Sequence, residues 1–390
     1  MNKYFADLHI HIGAAGDGKP VKITASNNLT FENIVKESKA RKGLDLIGII
    51  DCASPRVQKD IEAMIKKGEI KEIEGGGLKY KEDIVIIPGA EIESREKNGG
   101  MVHYLAYFPF LDNLKEFSTI MEQYITNINL SSQVTGLTGS EILKIIQAAG
   151  GFMVPAHVFT PHKSFYGNAF ASYNEVFTEK EWASIPAIEL GLSADTDLAD
   201  RLSELSDKTF LSNSDAHSIP KIAREYNVIE MEKLNFTQFK EALFRKDSKN
   251  VKENYGLDPR LGKYHRSFCP ECNQKYTDQK TKEVCPNCGK KLIKGVKDRI
   301  LEISDQNIIH PPHRGKYIHQ IPLLDIPGIG KKTLAKLLNN FNNEMEVIHH
   351  TDFSKLKEVL NNKLAKRIEK ARKGKAKIES GAGGNYGRVI

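Results

Sequence analysis

Histidine and carboxylate side chains near the N-terminus have the spacing of metal ligands. The segment Asp7-Leu8-His9-Ile10-His11 reads as a β-strand, which would point Asp7, His9 and His11 to one face. Two imidazoles two residues apart on one face can bind one metal ion. The same pattern also occurs as a pair of hydrogen-bonded core histidines, so this motif alone leaves both interpretations open.

Further polar side chains follow apolar runs elsewhere in the first 245 residues. They are Asp51 with Cys52, Glu91, His157, and Asp215 with His217. Strand ends converge in α/β folds, so these groups are expected to form one site. A mixed imidazole–carboxylate shell suits transition metals, and several such ligands allow two or three ions, which favours phosphoester hydrolysis. We predict two or three catalytic divalent ions, of Zn, Mn or Mg.

Strand-like and helical patterns alternate along the same region. The strand-like runs are 45–50, 83–87, 102–107, 151–155, 187–190 and 209–212, and the helical patterns include 31–42, 140–149 and 195–205. This alternation predicts an α/β fold with largely parallel strands. The pattern stops near residue 250, and residues 255–267 are polar and irregular. We therefore predict a first domain over residues 1–250.

The motifs of this domain resemble the polymerase-and-histidinol-phosphatase (PHP) superfamily over roughly residues 1–245. The likeness is carried by the His-x-His strand, the Gly-x-Glu segment at 89–91, the mid-chain histidine and the Ser-Asp-Ala-His segment at 214–217. It implies a distorted seven-stranded β/α barrel with a trinuclear metal centre. The metal ligands and catalytic residues that the resemblance implies are His9, His11, Glu91, His157, Asp215 and His217, with His103 as a further ligand.

The chain departs from that family's pattern at two points. Many members have Asp-His where this chain has Asp51-Cys52, and a further histidine where this chain has Asp17. Asp17 and Cys52 are predicted here as ligands of a third metal, and Asp51 as a further metal ligand. The alternatives are that Cys52 is a buried small hydrophobe and that Asp17 is a turn residue.

Four of the five cysteines form two Cys-x-x-Cys pairs separated by twelve residues. Four thiolates give the closed tetrahedral shell of one structural Zn ion. The metal would stabilise a short module that has no core of its own. We predict this module over residues 265–295, with the ligands Cys269, Cys272, Cys285 and Cys288.

The segment 323–338 resembles a helix–hairpin–helix motif, which places glycines and backbone N–H groups against a DNA phosphate. An ordinary helical hairpin with a glycine turn is the alternative. The basic stretch 363–377 has eight Lys or Arg and one Glu, which extends the positive surface. We predict a DNA-binding domain over residues 321–390 with contacts from Gly328, Ile329, Gly330, Lys331, Lys332 and Thr333.

The order of the three modules resembles the endonuclease Q family of PHP-domain DNA-repair endonucleases. That resemblance implies metal-dependent cleavage of the phosphodiester 5′ to a deaminated base (hypoxanthine, uracil or xanthine) or an abasic site, with the lesion extruded into a pocket. His162 is a candidate for the rim of the site. Candidates for the lesion pocket come from an aromatic loop, and the alternative interpretation of this loop is a hydrophobic lid. The candidates are Phe165, Tyr166, Asn168 and Phe170.

Bulk properties set the remaining expectations. The 390-residue chain has a net charge of +7, no visible signal peptide and no apolar run of about 18 residues, so we expect a cytoplasmic, nucleoid-associated protein without a membrane partner. The expected partner is double-stranded DNA with a damaged base; recruitment by a sliding clamp or another repair protein stays open. Two rival functions are a small-molecule phosphatase of the histidinol-phosphate type and a non-catalytic DNA-binding scaffold.

Overall fold

A computed structural model describes residues 1–81, 84–276 and 283–390 of the chain. Its strands are β1 Asn2–Ile10, β2 Leu46–Ile49, β3 Ile70–Glu72, β4 Leu78–Tyr80, β5 Ile84–Arg95, β6 Met101–Tyr107, β7 Phe152–Pro155, β8 Ala187–Glu189, β9 Thr209–Leu211, β10 Tyr226–Met231, β11 Asn250–Leu257, β12 Ser267–Cys269, β13 Gln274–Tyr276, β14 Lys316–Gln320, β15 Ile378–Glu379 and β16 Arg388–Val389. Its α-helices are α1 Phe31–Glu37, α2 Pro55–Lys66, α3 Leu111–Met121, α4 Gly139–Ala148, α5 Glu179–Ser184, α6 Thr196–Ala199, α7 Phe236–Leu243, α8 Val296–Ile303, α9 Lys331–Asn340, α10 Phe353–Val359 and α11 Asn362–Arg372. The predicted α/β class is confirmed. Residue 83, which the sequence places in a strand, lies outside the described residues.

The main sheet mixes parallel and antiparallel strands. Its order is β14-β11-β10-β1-β2-β5-β4-β3, with β6 joined to β5 and β7 joined to β6. β1, β2 and β5 are parallel, whereas β5, β6 and β7 pair antiparallel. The expectation of largely parallel strands was therefore wrong. The physical reason is the short connection between β5 and β6, which can join antiparallel strands and is too short for a parallel crossover.

The end of β1 meets the segment that follows β9. His11 N donates to Ala216 O (3.1 Å) and Ala216 N donates to His9 O (3.2 Å), which forms a parallel bridge between distant parts of the chain. Between β7 and β8, Val158 N donates to Glu189 O (2.9 Å). The strand ends that carry polar side chains are thereby drawn together. The seven-strand count of the predicted barrel stays a prediction.

The sheet continues past residue 250, where the sequence indicated an irregular segment. β11 pairs antiparallel with β10, and β14, which lies between the predicted zinc module and the predicted DNA-binding domain, pairs parallel with β11. The sequence pattern did not indicate β11 because the strand contains polar residues whose side chains form hydrogen bonds inside the fold. Asn254, for example, is buried and donates to Phe210 O (2.8 Å) and to Asn227 Oδ1 (2.9 Å).

Two of the three predicted helical stretches are shorter or interrupted. The stretch at 31–42 is α1 followed by a π-helical turn, Ser38–Lys42, and Gly43 ends it in the left-handed region. The stretch at 195–205 is α6 followed by a separate 3₁₀ turn. Between them lies Asp200, whose carboxylate binds Arg314 from the segment before β14 (2.7 Å). α4 has the capping box that its sequence favours, with Thr138 and Glu141 bonded reciprocally.

Apolar side chains form separate cores in the different parts of the chain. Two clusters fill the region of the main sheet, and a third joins α9, α10 and α11 around residues such as Leu334, Leu337 and Leu356. Around the cysteines the cluster is small, with Leu292 as its apolar member. Among the described residues, no helix combines the length and apolar character needed to cross a bilayer.

Candidate metal centre

His9 lies fully buried on β1 with its two ring nitrogens in different surroundings. Nδ1 is 2.9 Å from Glu189 Oε2, at the end of β8. That contact fixes the ring and directs Nε2 toward Glu91 Oε1 (3.5 Å) and Asp215 Oδ1 (3.6 Å). Burial alone would lower the pKa of His9, but Glu189 and Asp215 raise it well above the usual value. Such a ring, held by a carboxylate on one nitrogen, is typical of a metal ligand.

His11 repeats this arrangement two residues later. Its Nδ1 is 3.1 Å from Asp51 Oδ2, and its Nε2 lies 3.4 Å from Asp215 Oδ1 and 3.8 Å from Glu91 Oε2. Asp51 also accepts hydrogen bonds from Ile12 N (2.6 Å) and from the Ser131 hydroxyl. Asp51 therefore orients His11, which differs from the direct ligand role that the sequence suggested.

A second group of donors surrounds Glu91 on β5. The carboxylate oxygen Oε1 is 2.8 Å from His103 Nδ1 and 3.7 Å from His157 Nε2. The antiparallel register places Glu93 opposite His103, and Glu93 Oε2 is 3.0 Å from His103 Nε2. Because β6 runs antiparallel to β5, His103 near its start reaches the same end of the sheet as Glu91.

These donors fall into two groups, each of which could hold a metal ion. One group is His9, His11 and Asp215, the other is Glu91, His103 and His157, and the ligand atoms within each lie within 4.8 Å of one another. In the described part of the chain, His9 Nε2 and His103 Nδ1 are buried nitrogens without a hydrogen bond of acceptable geometry, although a carboxylate oxygen is near each. Buried nitrogens of this kind need a partner, and a bound metal ion would supply it.

His217 stands beside the first group at the edge of a cavity. Its ring centroid is 4.4 Å from that of His11, while its Nδ1 is 3.1 Å from the backbone oxygen of Asp215. Asp215 has a φ of +45°, so its backbone is in the left-handed region. Arg224 braces this turn by donating from Nε to Ser214 O (2.6 Å) and from Nη2 to Asp215 O (3.2 Å).

The structure does not bring Asp17 and Cys52 into the cluster. Asp17 is exposed in its loop and accepts a hydrogen bond from Lys19 N (3.0 Å), as a turn residue does. Cys52 is fully buried among apolar side chains and donates to Ile49 O (3.1 Å). Burial raises the pKa of the Cys52 thiol, which disfavours the thiolate that a metal needs.

The residues that the sequence predicted as a lesion pocket do not form one in the structure. Phe165, Tyr166 and Phe170 are buried, and Phe165 stacks near Trp182 with the ring centroids 6.1 Å apart. Asn168 is exposed and donates to Met101 O (3.2 Å). These aromatic rings form a core because they pack on one another, so they do not line an opening to the metal donors.

A cavity of about 670 Å³ opens above the metal donors instead. His162 lies on its wall, as its assignment to the rim anticipated, and its ring is 5.3 Å from that of Tyr264. Tyr386, from the glycine-rich tail, reaches the same cavity and accepts a hydrogen bond from Arg224 Nη1 (2.7 Å). Aromatic and basic side chains thus surround the entrance to the acidic and imidazole donors.

Comparisons with known proteins cover the whole chain. No protein-family model matches it. The protein YqxK of Bacillus subtilis (strain 168) is 44% identical over 392 residues, with 100% of both chains covered. The protein MJ0043 of Methanocaldococcus jannaschii is 39% identical over 251 residues, which are 59% of this chain and 31% of that protein.

Two solved structures match at a TM-score of 0.85 and 32% identity over 100% of this chain. One is the lesion-specific endonuclease PfuEndoQ from Pyrococcus furiosus, of which 95% is covered. The other is an endonuclease Q complex with a 27-mer duplex substrate that has an abasic lesion at the active site, of which 96% is covered. The chain belongs to the endonuclease Q family.

In this member of the endonuclease Q family, the four paired cysteines come together. Cys269 Sγ lies 3.6 Å from Cys288 Sγ, Cys285 Sγ lies 3.7 Å from Cys272 Sγ, and all four sulfurs are within 4.8 Å of one another. The spacing fits one tetrahedral ion. β12 and β13 supply the first pair on a small hairpin, and Cys285 N donates to Lys290 O (2.7 Å) around the second pair.

The predicted DNA-binding hairpin has an α-helix on one side of its turn. A single 3₁₀ turn, Leu323–Asp325, precedes Pro327-Gly328-Ile329-Gly330, and α9 follows from Lys331. Gly328 has a φ of +88°, Ile329 is buried, and Lys331 and Lys332 are exposed. Thr333 is half-buried in the first turn of α9. The helix–hairpin–helix assignment stays a prediction.

Several polar residues around the metal donors were not predicted from the sequence. Glu189 and Glu93 each orient one histidine ring, and Glu189 could have been found because it also ends an apolar run. Lys22, Arg224 and Ser132 come from loops. The loop sequences carry no periodic pattern, so no signal of the kind used above could have identified them.

Proposed function

We propose that this chain is a DNA-repair endonuclease that hydrolyses one strand of duplex DNA at a damaged nucleotide with divalent metal ions. The observation that carries the proposal is the buried imidazole–carboxylate cluster at the base of the cavity. It occurs in a chain whose full length matches an endonuclease Q complex with an abasic lesion at the active site.

The finer proposal is that the bond 5′ to hypoxanthine, uracil, xanthine or an abasic site is cleaved, which leaves 3′-hydroxyl and 5′-phosphate ends. It rests on the family resemblance. A cavity of about 670 Å³ is compatible with one extruded nucleotide, since small-molecule sites span roughly 300–1,000 Å³. Extrusion costs a few kcal/mol and is least costly where base pairing is already weakened.

The proposed catalytic residues are His9, His11, Glu91, His157, Asp215 and His217, with His103 as a further ligand. Bound Zn, Mn or Mg ions would activate a water molecule and neutralise phosphoryl charge. Asp215 has the role closest to the substrate, because its carboxylate is about one-third exposed to the cavity while Glu91 is buried. Lys163 and Lys263 on the cavity wall would attract the DNA backbone.

Binding to undamaged duplex is assigned to the C-terminal part of the chain. The N-terminus of α9 has free N–H groups and a partial positive charge, and the exposed Lys331 and Lys332 add to it. We keep three domains in this proposal: a PHP-type seven-stranded barrel over 1–250, a zinc module over 265–295, and a helix–hairpin–helix domain over 321–390. Contacts of the N-terminus of α9 with DNA phosphates would position the protein without selecting a sequence.

A labelled duplex with one deoxyinosine, one deoxyuridine or one abasic site tests the proposal, in the presence of Mn²⁺, Mg²⁺ or Zn²⁺. The expected result is one nick 5′ to the lesion and no cleavage of the undamaged duplex. Asp215→Ala should abolish cleavage and leave DNA binding intact. Phosphate release from histidinol phosphate without nicking, or tight DNA binding without metal-dependent cleavage, would refute the proposal.

A further inference from the structure

A lysine from a loop enters the metal centre. Lys22 Nζ is 2.7 Å from Glu91 Oε2 and also contacts the Ser132 hydroxyl, which itself donates to the same carboxylate oxygen. The Lys22 side chain is about one-tenth exposed, and that part faces the cavity. The two oxygens of Glu91 therefore differ. Oε1 faces His9, His103 and His157, whereas Oε2 contacts the Lys22 ammonium and the Ser132 hydroxyl and lies 3.8 Å from His11 Nε2.

The position of Lys22 makes its charge part of the site. A lysine side chain is an ammonium at neutral pH, and Lys22 Nζ lies within hydrogen-bond distance of the Glu91 carboxylate. Lys22 therefore places a positive charge beside the two ligand groups.

The residues near Lys22 do not fit a third divalent ion. Asp51 is occupied by His11, by Ile12 N and by Ser131. Asp17 and Cys52, which were candidate ligands for such an ion, point elsewhere. Among the described residues, the groups of three ligands in this region are the two already named. The trinuclear centre implied by the PHP resemblance therefore disagrees with this arrangement.

We infer that the catalytic centre of this chain binds two divalent ions and that the Lys22 ammonium takes the place of a third. Lys22 would also hold the Glu91 carboxylate in position and would present a cation to a DNA phosphate bound in the cavity. The second role rests on the proposed nuclease function, whereas the ion count does not.

This inference predicts opposite changes in metal binding and in cleavage when the charge is removed. In Lys22→Met, Glu91 Oε2 keeps the Ser132 hydroxyl but loses the ammonium, and a repelling charge disappears, so metal affinity should rise. A charge within about 4–6 Å of a carboxylate changes its affinity for a proton by roughly tenfold or more, and we expect a change of similar size for a metal ion. Cleavage should slow by about tenfold or more, because the phosphate loses a cation. A substitution that merely damaged the site would weaken both.

Equilibrium dialysis of the full chain against Mn²⁺, without DNA, provides the test, with the zinc of the cysteine module counted separately. The expected result for the wild type is two Mn²⁺ per chain. Lys22→Arg should keep that count and lose less activity than Lys22→Met. The control is Lys19→Met, an exposed lysine of the same loop, which should match the wild type in both assays.

Saturation of the wild type at three Mn²⁺ in the catalytic centre would overturn the inference. So would a Lys22→Met variant with unchanged metal affinity and unchanged cleavage. If Lys22→Met fails to fold, the wild-type count and the Lys22→Arg variant still decide the question. If the wild type does not cut damaged DNA, the proposed function fails while the ion count remains a valid test of the binuclear centre.

Discussion

Glu189→Gln should weaken the metal centre although Glu189 is outside both ligand groups. The carboxylate of Glu189 is fully buried and accepts from three donors: His9 Nδ1 (2.9 Å), Asn213 Nδ2 (2.9 Å) and His157 N (3.2 Å). It therefore connects one histidine from each ligand group. Glutamine has the same shape, but one of its two terminal atoms is a donor.

The size of the effect follows from those contacts. In the best orientation the glutamine oxygen accepts from His9 and Asn213, and its NH₂ group then faces His157 N. One hydrogen bond is lost and two donors oppose each other in a buried site, which costs about 1–3 kcal/mol. Loss of a carboxylate that orients a ligand histidine lowers metal affinity or activity by about 10- to 100-fold, which is roughly 1.4–2.7 kcal/mol. The two figures agree.

The assay is Zn²⁺ or Mn²⁺ affinity by competition with a chelating dye, followed by cleavage of the abasic duplex at saturating metal. Glu225→Gln is the matched control. Glu225 is equally buried but accepts a hydrogen bond from Leu257 N and has no contact with a ligand histidine among the described residues. Burial raises the pKa of Glu225 to about 8, so its side chain is mostly neutral at pH 7 and glutamine resembles it.

The control should keep metal affinity and cleavage within about twofold of the wild type. The reasoning would be refuted if Glu189→Gln bound metal as tightly as Glu225→Gln does. Equal losses in both variants would also contradict it, since burial alone would then explain the effect.

Four further outcomes are expected. Between pH 4.5 and about 8 the folded chain holds a proton on Glu225 that the unfolded chain releases, so the free energy of unfolding should fall as pH rises through this range. The free energy of unfolding of Glu225→Gln, measured by urea titration, should depend less on pH. Gly328→Ala forces a side chain into the left-handed region, which lowers the free energy of unfolding by about 1–2 kcal/mol, and it should weaken duplex binding in a gel-shift assay. Gly330 has an extended backbone and open space around it, so Gly330→Ala should leave the melting temperature unchanged. Cys285→Ser should abolish the structural zinc measured by elemental analysis and leave the catalytic ions in place; loss of all ions would contradict separate sites. Arg224→Met should reduce cleavage about tenfold or more. Arg224→Lys should not restore cleavage, because a lysine cannot donate to both Ser214 O and Asp215 O, the two backbone oxygens that Arg224 contacts.

The sequence predicted the buried strands well because their apolar runs are continuous. The run at 102–107 corresponds to Met101–Tyr107, and the run at 151–155 corresponds to Phe152–Pro155. Strand direction could not be predicted from the apolar runs, since a strand buried on both faces has a continuous apolar run whether its neighbours are parallel or antiparallel, as β6 does. β11 was missed for a different reason: Asn254 bonds within the interior, so a polar residue occupies a position that the pattern assigns to solvent.

The rule that polar residues at strand ends converge found most of the candidate ligands, because it depends on topology that the sequence does reveal. It led to Glu91 and Asp215, which the structure brings into the two ligand groups. It predicted Asp51 as a metal ligand, whereas the structure places Asp51 against His11, because the rule cannot separate a group that binds metal from one that holds a ligand. The aromatic loop misled for a related reason, since Phe165 and its neighbours have the composition of a pocket wall but pack on one another.

A common arrangement explains why the rest of the centre was hidden. Three histidines each give one ring nitrogen to a carboxylate and direct the other toward the ligand cluster: His9 with Glu189, His11 with Asp51, and His103 with Glu93. Each pair joins two different strands or strand ends, so neither partner indicates the other in the sequence.

The same arrangement couples metal affinity to the assembly of the strand ends. Because Glu189 ends β8 and Asp51 follows β2, His9 and His11 acquire their orientation only when these segments come together. A variant that loosens the contact between the end of β1 and Ala216 should therefore lose metal affinity even with every ligand intact.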